Sequence, residues 1–246
     1  MYRDLVISFL PFSYQIRRSS RATRARIIVS ADKVEVVAPM QISEQRLQQF
    51  VHAKQQWIVQ VLRKMAANSS QSQAFAPEVY QHGAEITYQG QAVTLAVQSS
   101  KLKTIKIELN EQLLAHVPMA MLELGYAAAL QTAVIRWLKK QALLKVQLLV
   151  DQHAAKKQLW PRALTIKTQK SRWGSCGIHN DIHINWLLII APPEVLEYVV
   201  VHEICHIQER NHSPRFWALV GEHLPTYKQA RQWLKKHGGQ LMRVVG

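Results

Sequence analysis

A chain of 246 residues, 48% hydrophobic and 19% charged, can bury one large core or two small ones, which excludes an intrinsically disordered chain. Two cysteines, Cys176 and Cys205, are too few for the disulfide framework of a small secreted domain, so a cytoplasmic location is expected. The formal net charge of +15 favours contact with polyanions and leaves the fold undetermined.

Residues 1–14 carry Asp4 ahead of a short apolar run that Pro11 interrupts, with no small-residue cleavage pattern, which argues against a signal peptide. No apolar run approaches the roughly 18–20 residues needed to cross a bilayer, so no membrane association is expected. Residues 14–39 hold β-branched Ile27, Ile28, Val29, Val34, Val36 and Val37 and predict a hairpin or meander with a turn at 31–33. Residues 42–65 predict a helix capped by Ser43, with Leu47, Phe50, Val51, Trp57, Ile58 and Leu62 at three-and-four spacing. The Ala, Ser, Gln and Asn of residues 66–77 offer little to bury and predict a linker or surface loop. Strands are predicted at 85–88, 93–97 and 103–109, then a long helical pattern, one helix or two, at 122–154. Two further strands are predicted at 164–171 and 182–190, after which Pro192 and Pro193 open a new helix.

That helix is apolar almost all round between Val195 and Ile207, as a helix in a domain centre must be. Its polar exceptions cluster. His202 and His206 are one turn apart on one face, and Glu203 stands beside them. Left unsatisfied there, two imidazoles and a carboxyl would cost about 1–3 kcal/mol each, a cost that a metal ion removes. HExxH on a helix is the arrangement in which two neutral imidazoles ligate zinc and the glutamate serves as general base towards water.

Composition alone would produce this pattern in roughly two of a hundred such chains, so it needs support. His212, six residues after His206, supplies it. The chain can leave the helix at Arg210 and Asn211 and return His212 as a third ligand, with Ser213 capping a helix that starts at Pro214. The alternative third ligand is Glu222, and the alternative to any metal is a set of hydrogen-bonded core histidines. Three protein ligands with one open position mark a catalytic rather than a structural zinc. Glu209 stands where the metzincin pattern has the glycine of a tight turn, so a different turn is expected. Cys205 reads as inert core, and His179, His183 and His223 as surface or packing residues.

The stretches IRRSSRATRARIIV, ISEQRLQQFVHAKQQWI, QKSRWGSC, DIHINWLLIIAPPEVLEYVVVHEICH and NHSPRFWALV together resemble the YgjP-like metallopeptidases, relatives of the SprT-like zinc proteases. The resemblance extends over nearly the whole chain and implies His202, His206 and His212 as zinc ligands and Glu203 as the catalytic glutamate. It is weakest at 66–112, where a variable insert is expected. The expected fold is α+β: a zincin-like catalytic domain, residues 119–246, whose HExxH helix packs on a small mixed or antiparallel sheet, and an N-terminal β-rich lobe, residues 1–118, with one helix. Arg172, in the SRWGSC turn, is a candidate for holding substrate or a developing oxyanion, with bracing of the hairpin as its alternative role. Tyr227 is a second oxyanion candidate.

The expected activity is zinc-dependent hydrolysis of a peptide or protein substrate. Two alternatives stand beside it. One is a nucleic-acid-associated protein recruited through Arg17, Arg18, Arg21, Arg24 and Arg26; the other is a metal-dependent hydrolase of a nucleotide or other phosphate substrate. No glycine-rich phosphate loop supports the last, and the sequence leaves the oligomeric state open.

Overall fold

Burial along its whole length makes β3 (Val34–Ala38) the centre of a three-stranded sheet. β1 (Gln15–Arg18) runs parallel to it and β2 (Arg26–Val29) antiparallel, in the order β1-β3-β2. Val34, Val36 and Ala38 share one face by the two-residue strand period and belong to one core with Leu47, Val51 and Ile58. The last three come from α1 (Glu44–Ala53) and α2 (Gln55–Ser70), where the sequence predicts a single helix. Ser43 caps α1 as expected, accepting from the Arg46 amide, and Lys54, at φ −103° and ψ 4°, separates the two helices. The loop predicted from residue 66 is helical as far as Ser70, because Ala66 and Ala67 continue a helix at almost no side-chain entropy cost. The computed structural model describes residues 10–30, 33–70 and 74–245; the chain start and residues 31 and 32 of the predicted turn lie outside them.

These elements form the first of two compact units, Met1–Gln73, and the second is Ala74–Gly246. The division after Gln73 departs from the predicted boundary at 118. Strands expected in the N-terminal lobe instead bury Ile86, Leu95, Leu113, Ala115 and Val117 in the core of the second unit. β4 (Glu85–Tyr88), β5 (Gln91–Ser100), β6 (Lys106–Leu109) and β7 (Leu113–Pro118) make a sheet in the order β4-β5-β7-β6. Its middle pair is parallel and its outer pairs antiparallel. Gln89 and Gly90, both at positive φ, turn β4 into β5. Their amides donate to the carbonyls of Ile189 and Ile190, which docks the turn just ahead of the HExxH helix. A side chain at Gly90 would come within 3.1 Å of Pro192.

The long helical pattern resolves into α3 (Met119–Leu124) and α4 (Ala127–Lys157), divided at Gly125, whose φ of 95° no helix accommodates. Leu130, Val134, Leu138, Ala142, Val146 and Val150, four apart along α4, form its buried stripe. β8 (Ala163–Lys167), β9 (Gly174–Cys176) and β10 (Asp181–Asn185) then build a small mixed sheet, with β8 parallel and β9 antiparallel to the central β10. The strand predicted to residue 190 stops at Asn185. Its side chain accepts from Leu187 N and starts a 3-10 helix, Trp186–Ile189, so the apolar run is buried as a helical turn rather than as a strand. α5 (Pro193–Gln208), α6 (Pro214–His223) and α7 (Tyr227–Leu241) follow. α5 touches β9, β10, α4, α6 and α7, and that central position is what its all-round apolar sequence requires. Among the described residues no helix is long and apolar enough to cross a membrane.

Candidate metal centre

His202 and His206 lie one turn apart on α5, and the loop after that helix returns His212 to them. Their ligand-capable nitrogens all lie within 4.8 Å of one another, and His202 Nε2 is 3.0 Å from His212 Nε2. His206 Nδ1 is 2.9 Å from the Glu209 carbonyl oxygen; donation there fixes the tautomer and leaves Nε2 with a free lone pair. Burial, and after it the neighbouring His206 and His212, push the His202 imidazole down to about 3. It is therefore neutral at ordinary pH, the form that binds a metal. Glu209 has φ −115° and ψ 100°, an extended backbone open to any residue, so this turn needs no glycine.

The loop carrying His212 is fastened at both ends. Arg210 donates to the carbonyl oxygen of Gly177 (2.9 Å), to that of Ile178 (3.5 Å) and to Asn180 Oδ1, all in the turn between β9 and β10. Ser213 caps α6, its Oγ accepting from Phe216 N at 3.3 Å, while Asn211 Oδ1 accepts from Ser213 N at 3.2 Å. Phe216 is fully buried beneath the trio, with centroid distances of 4.9 Å to His202, 4.5 Å to His206 and 4.9 Å to His212. That burial contributes about 1.5–3 kcal/mol to the packing that holds the three rings together.

Glu203 is 5% exposed, and its carboxyl rests against β9. A methyl group at position 174 would lie 2.6 Å from Glu203 Oε1 and 2.7 Å from Cγ, so only glycine leaves room for the carboxyl. Burial pushes that carboxyl up to about 8, and a cation held by the neighbouring imidazoles would bring it back down into the ionised range. Asn185 holds the approach to β9: fully buried, its Nδ2 donates to the carbonyls of Gln169 (2.8 Å) and Arg172 (3.1 Å), and its amide donates to Trp173 O (2.8 Å). Gly174, Asn185 and Phe216 have no catalytic signature in the sequence. The two glycines of the SRWGSCG turn were its one visible hint, and they read only as turn residues.

Three nitrogens facing one point, two on a buried helix and one on a fastened loop, fit a divalent metal by donor type and by convergence. A family model described as "YgjP-like, metallopeptidase domain" matches residues 23–237. The chain belongs to the YgjP-like family. No curated protein and no solved structure matches it significantly.

The other sequence-predicted residues of this YgjP-like chain divide clearly. Tyr227, at the start of α7, joins the ring contacts around the trio by stacking on Trp217 at 5.6 Å. Arg172 is exposed in the loop before β9, and among the described residues no hydrogen bond, ion pair or ring contact joins its side chain to the trio. Glu222, the alternative ligand, lies outside the cluster and pairs with Lys157 at 2.6 Å. Cys205 is buried core. His179 is exposed, His183 lies on β10, and His223 is buried in α6 with its ring 5.8 Å from that of His153.

Proposed function

We propose that this metallopeptidase-domain chain is a zinc peptidase in which His202, His206 and His212 hold the ion and Glu203 moves the proton. The observation that carries the reading is the convergence of three imidazole nitrogens on the helix that also bears a buried carboxyl. Three neutral nitrogen donors with no thiolate among them suit zinc. Bound there, zinc would supply Lewis acidity towards a peptide carbonyl and lower the pKa of water. Glu203 takes a proton from the attacking water and returns it to the leaving amine. Gly174 keeps β9 clear of the carboxyl that performs this transfer. Tyr227, within the ring contacts of the site, is better supported than the exposed Arg172 as the group that meets the oxyanion.

Metal analysis and peptide hydrolysis on purified protein test this reading. Wild type is expected to bind one zinc per chain and His212→Ala to lose it. Glu203→Gln is expected to keep the zinc while turnover falls about 10²–10⁴-fold. A Glu203→Gln protein as active as wild type would refute the assignment. Nucleoside triphosphates assayed beside the peptides discriminate the phosphate-hydrolase alternative, which gains if they alone are cleaved.

A second reading, nucleic-acid association, draws support from the first unit. Arg17 pairs with Glu35, and Arg18 donates to the carbonyls of Pro39, Met40 and Ile42. Arg21, Arg24 and Arg26 are exposed and have no acidic partner among the described residues. Ile27, Phe50, Lys54 and Trp57 line a groove, and Trp57 is 47% exposed. Free guanidinium groups with an open indole on one small unit suit single-stranded nucleic acid, through phosphate contact and base stacking.

A further inference from the structure

The rings around the trio continue into an arc that proton transfer and metal binding leave unused. Trp217 of α6 stacks on His212 with centroids 5.7 Å apart and planes 21° apart, and on Tyr227 at 5.6 Å and 15°. Tyr227 stacks on Tyr198 at 6.3 Å, and Tyr198 meets His202 edge-on at 5.8 Å, which closes the arc. Over Trp217 lies the guanidinium of Arg231 from α7, its Cζ 4.4 Å from the ring centroid. Arg231 is exposed, and no carboxylate among the described residues pairs with it.

We infer that Arg231 is a specificity residue that takes a carboxylate of the peptide substrate, with Trp217 as its platform. The inference rests on the peptidase reading above. A guanidinium held over an indole loses little further freedom when its donors engage a carboxylate in a two-bond fork. Among the described residues no acidic side chain competes for it. An extended peptide advances about 3.3–3.6 Å per residue, so a cation within about 10 Å of the His212 ring is reached within about three residues of the cleaved carbonyl. The carboxylate comes either from an acidic side chain or from the free C-terminus.

Zinc-loaded full-length protein is assayed on matched peptides carrying Glu or Gln at the positions flanking the scissile bond, each with a free or an amidated C-terminus. Wild type is expected to favour the carboxylate by about tenfold or more in kcat/KM. The Glu/Gln pair identifies a side-chain source and the free/amidated pair a terminal one. Arg231→Gln is expected to abolish the preference, the ratio of kcat/KM between the charged and neutral peptides falling to about one, and Arg231→Lys to restore part of it. A preference that survives Arg231→Gln, or none in wild type, overturns the inference and leaves the peptidase reading standing. If no peptide is cleaved, that reading fails instead, and NMR then decides carboxylate binding by itself. Titration with N-acetylglutamate should shift the Trp217 indole N–H in wild type and not in Arg231→Gln; no shift in wild type overturns carboxylate binding as well.

Discussion

At the scale of single residues, the chemistry proposed for Glu203 depends on a side chain that is missing. Gly174 faces it across a gap too small for a methyl group, 2.6 Å from Oε1. Gly174→Ala is therefore expected to displace the carboxyl and lower turnover by about a hundredfold, the cost typical of roughly 1 Å of misplacement. Zinc content should stay at one per chain, because no ligand moves; wild-type turnover would show that Glu203 yields without consequence. Asp181 is a second residue whose state is set chiefly by one partner. Arg162 donates to both its oxygens, at 2.8 and 2.5 Å, and holds its carboxyl below the ordinary carboxylate range. A depressed carboxyl stays ionised to lower pH in the folded chain than in the unfolded one. It thus stabilises the fold above its unfolded pKa, and the contribution is lost as pH falls through the folded value. In Arg162→Ala the Asp181 carboxyl should titrate closer to its ordinary value, as followed by NMR; an unchanged titration would assign the depression elsewhere.

At the scale of elements, the site is assembled from three kinds of support: a buried helix, a capped helix and a short sheet. α5 supplies His202, Glu203 and His206 by its own periodicity, and Ser213 starts α6 immediately after His212. Ser213→Ala is expected to cost about 1 kcal/mol of stability by loss of the cap. It should also weaken zinc affinity, since the cap fixes the residue beside His212, a proposed ligand; thermal melts and competition with a chelator measure the two effects. A stability loss with unchanged affinity would show that Arg210 and Phe216 suffice to hold the loop. The partners of Arg210 are in the β9–β10 turn, about thirty residues back along the chain, so local pattern gave no sign of that fastening. β7 differs, since its sequence LLAHVP does alternate; no strand is predicted there, and the structure pairs it with both β5 and β6.

At the scale of the whole molecule, charge is unevenly placed. The net charge is +15, and residues 1–73 carry eleven Lys or Arg against four Asp or Glu. If the first unit binds single-stranded nucleic acid, affinity must fall steeply with salt, with a logarithmic slope of about −0.7 per phosphate neutralised. Replacing Arg21, Arg24 and Arg26 together by Ala should flatten that slope by about 2 if each neutralises one phosphate. Anisotropy of a labelled oligonucleotide at several salt concentrations measures it; binding indifferent to salt would remove the reading.

The sequence by itself determined what is local or periodic. The α5 helix with His202, Glu203 and His206 on it, the return of His212 and the caps at Ser43 and Ser213 each depend on spacings of six residues or fewer, which helix geometry converts directly into position. Tertiary structure decided what depends on distant partners. Hydrophobic alternation reveals that a strand exists and not which core will receive it, and β4 to β7 join the core of the second unit. The Gly174 contact and the arc of Trp217, Tyr227, Tyr198 and Arg231 bring together side chains from separate elements, and only the packing of α5 against β9, α6 and α7 makes them neighbours.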